Sequence, residues 1–84
     1  MITVEQAKEL KYGQTLYSNS RVSSDGWPER WRVTSKVKTW KTMPDRVEFS
    51  VMYGLYCTYV LDEHDLKWYC LDEDEAMAEI RRKM

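Results

Sequence analysis

Arg30-Trp31-Arg32-Val33-Thr34-Ser35-Lys36-Val37-Lys38-Thr39-Trp40-Lys41 carries the clearest one-sided pattern in the chain. Trp31, Val33, Val37 and Thr39 fall on odd positions, and Arg30, Arg32, Lys36, Lys38 and Trp40 on even ones. A period of two is the signature of a strand with one buried face. The odd face is expected to point inward and the even face to form a basic stripe.

Downstream, Met43-Pro44-Asp45 reads as a turn. Val47, Phe49, Val51 and Tyr53 then alternate with Arg46, Glu48, Ser50 and Met52, which predicts a second half-buried strand. Gly54 interrupts it, as a bulge or sharp bend does. Leu55, Cys57, Tyr59 and Leu61 are expected on one core face. A turn at Asp62-Glu63-His64-Asp65 would bring Leu66, Trp68 and Cys70 back against it.

Upstream, Thr3 and Gln6 form a capping box, and Val4, Ala7 and Leu10 make a single apolar stripe, so residues 3–12 predict a short helix. Gly13 is suited to ending it. A brief strand at Thr15-Leu16-Tyr17 leads into Ser18 to Pro28, whose Ser, Asn, Asp, Gly and Pro content predicts a long loop. At the other end, Asp72 caps a helix over residues 73–83. Acids at its start and Arg81, Arg82 and Lys83 at its end suit the helix dipole. Met77, Ile80 and Met84 give it a thin apolar stripe, which leaves open whether it docks, frays or serves a partner.

The 84 residues hold 13 Lys and Arg against 14 Asp and Glu, a formal net charge of −1. That balance excludes a globally basic nucleic-acid protein but permits a local basic surface. The expected organisation is a single domain over 1–84, with a barrel at 15–71 between the two helices. No apolar run approaches the roughly 20 residues that span a bilayer. The opening residues have neither the basic nor the apolar region of a secretory signal, so a cytoplasmic setting is expected. Cys57 and Cys70 are too few for a disulfide framework and fit no zinc spacing. The expected hairpin register places them opposite one another, which favours packed thiols and leaves a disulfide open.

Five short strands, a long first loop and a bend at Gly54 predict a mainly β fold: a small five-stranded, strongly bent antiparallel barrel with a short N-terminal and a short C-terminal helix. The order of elements resembles the SH3-like barrel. The segments Lys11-x-Gly13-Gln14-Thr15-Leu16-Tyr17, Asp25-Gly26-x-Pro28-x-Arg30-Trp31-Arg32-Val33, Lys36-Val37-Lys38-Thr39-Trp40-Lys41, Pro44-x-Arg46-Val47 and Gly54-Leu55-Tyr56 resemble small, uncharacterised tailed-bacteriophage proteins over residues 3–71. The resemblance implies a phage accessory protein made in the bacterial host cytoplasm. Its motifs are structural and imply no reaction.

The residues themselves predict no enzyme, no metal site and no cofactor. The three glycines are too far apart for a phosphate loop, the core face offers no base to activate a cysteine, and the lone His64 sits in an acidic turn. What stands out is segregated charge: +5 over residues 30–41 and −6 over residues 54–75. Such separation steers oppositely charged partners. The acids Asp62, Glu63, Asp65, Glu73, Asp74 and Glu75, together with Trp27 in the first loop, are candidates for protein binding. The acids could imitate a phosphate row. Arg30, Arg32, Lys36, Lys38 and Trp40 are candidates for nucleic-acid binding, the cations on phosphates and the ring on a base. Trp27, Tyr12, Tyr56, Tyr69 and Trp40 fit none of the inward faces, and exposed rings make binding hot spots. The expected function is non-catalytic protein binding, such as inhibition of a host nucleic-acid-handling or defence machine. The alternative is a nucleic-acid-binding barrel. Its state is expected to be a monomer or a weak homodimer, with no membrane partner.

Overall fold

A computed structural model describes residues 1–55 and 57–83. It contains α1 (Val4–Lys8), β1 (Thr15–Val22), β2 (Pro28–Val33), β3 (Lys38–Trp40), β4 (Met43–Tyr53), β5 (Cys57–Asp62), a 3₁₀ turn (Leu66–Trp68), β6 (Tyr69–Cys70) and α2 (Glu73–Lys83). The fold is mainly β, and the strands form one antiparallel sheet of six rather than five. β4 is its hub. β5 lies along one side of β4, while β2 and β3 lie end to end along the other. β1 joins β2, and β6 joins β1. No pairing joins β5 to β6 among the described residues, so the sheet is open.

The basic segment is strand at both ends but not throughout. Val33 faces Val51 and Lys38 faces Glu48, so this side advances five residues while β4 advances three. The excess is absorbed between Thr34 and Val37. The Ser35 hydroxyl accepts the Ser50 N–H at 2.9 Å there, replacing a lost ladder bond. In β2 the expected alternation holds: Trp31 and Val33 are buried, Arg30 and Arg32 exposed. It fails in β3, where Thr39 is exposed, because β3 is an edge strand with nothing packed over it.

The segment 18–28, expected as a loop from its polar residues, is strand for half its length. β1 runs on to Val22, and the turn is only residues 23–27. Ser18 and Asn19 are buried in the strand. The Ser18 hydroxyl accepts the N–H groups of Ser20 and Arg21 at an irregular step in the ladder. Asn19 donates to the Lys67 carbonyl at 2.7 Å and to Glu79 at 2.9 Å, and Lys83 of α2 donates to the Asn19 carbonyl at 3.1 Å. Satisfied in this way, a buried amide carries no large desolvation cost.

The turn expected at Met43-Pro44-Asp45 is the start of β4 instead. The reversal lies at Lys41-Thr42, between the paired Trp40 and Met43. Gly54 is where the chain reverses, not where one strand bends: Tyr53 and Cys57 face each other across the loop. Its φ of +67° is the left-handed conformation that glycine adopts at little cost.

The expected core face of β5 also needs correction. Leu61 is buried, but Leu55, Cys57 and Tyr59 are exposed. The cause is the return segment. Leu66–Trp68 forms a 3₁₀ turn, and Tyr69 and Cys70 pair with Ser18 and Tyr17 on β1, not with β5. β5 therefore lacks the cover expected from the return segment, and its residues 57–60 are exposed. Cys57 and Cys70 end up on strands that do not meet, both free, one exposed and one buried.

α1 has its capping box but ends at Lys8, short of the expected residue 12. Gly13 shapes the following turn, accepting no helical role, and its N–H donates to the Val33 carbonyl at 2.7 Å. Ile2, Ala7 and Leu10 join Leu16, Trp31, Val33, Val47, Phe49, Val51, Leu61 and Leu66 in the core. α2 docks across β1 with Ala76 and Ile80 buried; Met77 is only half-buried. Met84, expected on its stripe, lies outside the described residues, as does Tyr56. Among the described residues, no helix is long and apolar enough to cross a membrane.

Candidate functional site: an aromatic groove

The two charged surfaces meet. Arg30 on β2 donates to Glu73 at the start of α2 at 3.0 Å and lies 3.7 Å from Asp25. One nucleic-acid candidate is thus engaged by one protein-binding candidate. Arg32, Lys36 and Lys38 are exposed. Lys38 lies 5.2 Å from the centre of the Trp40 ring, and Arg46 stacks on that ring at 4.2 Å. Arg46 therefore belongs with this cluster, although it entered the sequence reading only as a solvent-facing residue of β4.

The acids of the 62–65 turn are largely used at home. Asp62 Oδ1 accepts the His64 N–H at 2.9 Å, and Asp65 Oδ2 accepts the Asp62 N–H at 3.0 Å. Glu63 Oε1 accepts the Val47 N–H at 3.1 Å, past the point where β5 stops pairing with β4. Glu75 holds the Met1 amino group at 3.2 Å; Asp74 is exposed. Trp27 is 45% exposed at the end of the 23–27 turn, where its backbone N–H donates to Asp25 Oδ1 at 3.0 Å.

The sequence did not single out Glu79, yet it anchors a second cluster. It accepts the Met1 ammonium at 3.0 Å, the Cys70 thiol at 3.1 Å and the Asn19 amide. Burial opposes the Met1 charge, but hydrogen bonds to Glu79, Cys70 and Glu75 outweigh it and push the amine up to about 10. Burial and the bond to Glu79 push the Cys70 thiol up, which keeps it protonated and a poor nucleophile.

Of the residues expected to bind a partner, only Asp65 lines a further concavity. It is a groove of about 550 Å³ between β2, the outer part of β5 and the 3₁₀ turn. Trp31 is its floor. The Trp31 ring lies 4.9 Å from Tyr53, 5.3 Å from Tyr59 and 6.0 Å from Tyr69, the last two edge-on. Such tilted and edge-on arrangements are the favoured geometry of aromatic pairs. Tyr59 and Trp68, respectively 52% and 45% exposed, form the walls. Glu29 and Asp65 supply carboxylates.

Two of its lining residues each bury an unpaired polar atom. Trp31 Nε1, on a residue only 8% exposed, and Glu29 Oε1 are both buried without a hydrogen-bond partner among the described residues. An unmade buried hydrogen bond costs about 1–3 kcal/mol. Both atoms are closed to solvent, although their residues line the groove. The signal available in the sequence is Trp31 itself: an indole in the core needs a partner for its N–H. Tyr59 and Trp68 were hidden by their assignment to the core.

Comparison with known proteins finds no matching family model, no matching curated protein and no matching solved structure.

Proposed function

We propose that the chain is a non-catalytic binding module that docks a partner protein in the Trp31 groove. The observation that carries this reading is the concave surface floored by Trp31 and walled by the exposed rings of Tyr59 and Trp68. Rigid aromatic side chains around a concave floor are the usual anchors of protein interfaces. The strand sequence β6–β1–β2–β4–β5, with a 3₁₀ turn before the last strand, supports an SH3-like barrel to which β3 is an added edge. The resemblance to small phage proteins supports an accessory role in the cytoplasm of a bacterial host, such as inhibiting a nucleic-acid-handling or defence machine.

The test compares proteins retained from bacterial lysate by the native chain and by Tyr59→Ala/Trp68→Ala. Both side chains are about half exposed, so the fold should survive their loss. A defined partner held by the native chain and lost by the variant is expected. Identical retention by both defeats the reading.

A second reading rests on Trp40, stacked by Arg46 and flanked by Lys38, with exposed Lys36 two residues before Lys38; Arg32 pairs with Met52 at the far end of β4 and is not part of this cluster. This face suits single-stranded nucleic acid. Fluorescence anisotropy of a labelled oligonucleotide at low salt decides it. Binding abolished by Lys36→Glu/Lys38→Glu is required, and no change in anisotropy eliminates it.

A further inference from the structure

We propose that the outer edge of β5 pairs with the same edge of a second copy of this chain, antiparallel, about a two-fold axis at Tyr59. Thr58 of each copy lies opposite Val60 of the other, and one sheet runs through both. This inference does not rest on the occupant of the Trp31 groove.

The backbone at Ser50 fixes which groups of β5 are free. The Ser50 N–H donates to Ser35 Oγ at 2.9 Å, and its carbonyl accepts the Thr34 N–H at 2.9 Å. Both bonds leave β4 on the side away from β5, toward the chain between β2 and β3. Ser50 faces Val60, so that pair exchanges no backbone bond. Antiparallel pairs alternate between bonded and non-bonded, so Thr58 and Asp62, two residues to either side, also turn their N–H and C=O outward. Asp62 satisfies both groups within its own turn. Its N–H donates to Asp65 Oδ2 and its carbonyl accepts the Asp65 N–H, each at 3.0 Å. Thr58 and Val60 have no such partner among the described residues, and no strand pairs with this edge.

These free groups complement themselves. With the axis at Tyr59, Thr58 and the second copy's Val60 form a bonded pair that exchanges both N–H···O bonds, and the axis repeats the pair at Val60. Every outward group left open on β5 is then used in both copies. An axis one residue along, at Val60, sets Thr58 against Asp62, whose groups Asp65 already holds. Tyr59 meets its own counterpart as a non-bonded pair, the kind that brings side chains closer, and aromatic cross-strand pairs are favourable.

The side chains do not oppose the pairing. Residues 54–61 contain no charged residue and no proline. Residues 57–60 are exposed, Tyr59 by 52% and Val60 by 62%. Sheets guard their free edges with charge, proline, bulges or short strands. The other margins here follow that rule: β3 carries Lys38 between Lys36 and Lys41, and β6 is 2 residues long. β5 alone presents a neutral, aromatic and β-branched edge, the composition that favours strand pairing. A two-fold pairing closes at two copies and leaves neither β5 edge open to further addition. Tyr59, Val60 and Leu61 also line the Trp31 groove, so self-pairing and a docked partner compete for this strand.

The experiment is sedimentation equilibrium of the full chain, in reductant so that exposed Cys57 forms no disulfide. A monomer–dimer equilibrium with Kd between about 1 μM and 1 mM is expected, the range that suits a small interface. Thr58→Pro removes an outward N–H and no bond to β4, and Val60→Lys puts a charge on the edge. Each should weaken dimerisation at least about tenfold, with the ¹⁵N spectrum unchanged away from β5 as the check on folding. Tyr59→Lys and Tyr59→Glu should each be monomeric, because like charges meet on the axis, and an equimolar mixture of the two should dimerise. A native chain that stays monomeric at about 1 mM overturns the proposal. A dimer that survives both Thr58→Pro and Val60→Lys overturns β5 as the interface. A Lys/Glu mixture that stays monomeric overturns the axis at Tyr59.

Discussion

Trp31 serves two purposes that conflict. Its ring bridges Tyr53, Tyr59 and Tyr69 and belongs to the core cluster, while its indole N–H lies buried and unpaired. Natural sequences tend to keep such a local loss only where function needs it. Trp31→Phe separates the two. It removes the unpaired donor along with some ring area, and these effects oppose one another. Stability in urea should therefore change by only about 1 kcal/mol. A large destabilisation would mean that the indole is retained for packing alone. Asn19 shows the opposite solution, for its buried amide finds three partners: the Lys67 carbonyl, Glu79 and Lys83. From sequence the two are hard to separate. Asn19 looked like loop chemistry and Trp31 like plain core, because hydrogen-bond satisfaction depends on neighbours distant in the chain.

Among the elements, alternation was legible wherever a strand has one covered face. Val47, Phe49 and Val51 are buried as expected, and so are Trp31 and Val33. It failed on edges. β3 and β5 lie at the margins of the sheet, and their side chains alternate toward no cover. The reversal at Gly54 was ambiguous for a different reason: bulge, bend and hairpin all draw on glycine's freedom at positive φ. With φ at +67° and nothing within 4 Å of an added Cβ, Gly54→Ala tests conformation without a clash. It should cost about 1 kcal/mol, the penalty of the left-handed region for an ordinary residue. The urea midpoint measures this. No change in midpoint would contradict the backbone conformation at the β4–β5 loop. Pairing partners were the least legible property. That β6 joins β1 rather than β5 depends on the 3₁₀ turn at Leu66–Trp68, and alternation of Leu66, Trp68 and Cys70 suits strand and single turn alike.

Across the whole molecule, the charge segregation evident in the sequence proves to be partly internal wiring. α2 is tied to β2 by Glu73 and Arg30, to the chain start by Glu75 and Glu79 holding Met1, and to β1 by Lys83 on Asn19. The Arg30 pair is substantially exposed, and such pairs contribute about 0–1 kcal/mol. The Met1 contact has a readable pH signature. Its ammonium is raised from 8.0 to about 10 in the folded chain. A group whose pKa rises on folding binds its proton more tightly in the native state, so its contribution is complete below about pH 8 and disappears as pH climbs through about 10. The Cys70 thiol, also raised, adds in the same direction. The urea midpoint should therefore fall between pH 8 and pH 10. Acetylating the α-amine should lower the midpoint at neutral pH and flatten that fall, leaving only the share due to Cys70. An acetylated chain with the same midpoint and the same slope as the free one would show that the Met1 ammonium does not hold α2 against the sheet.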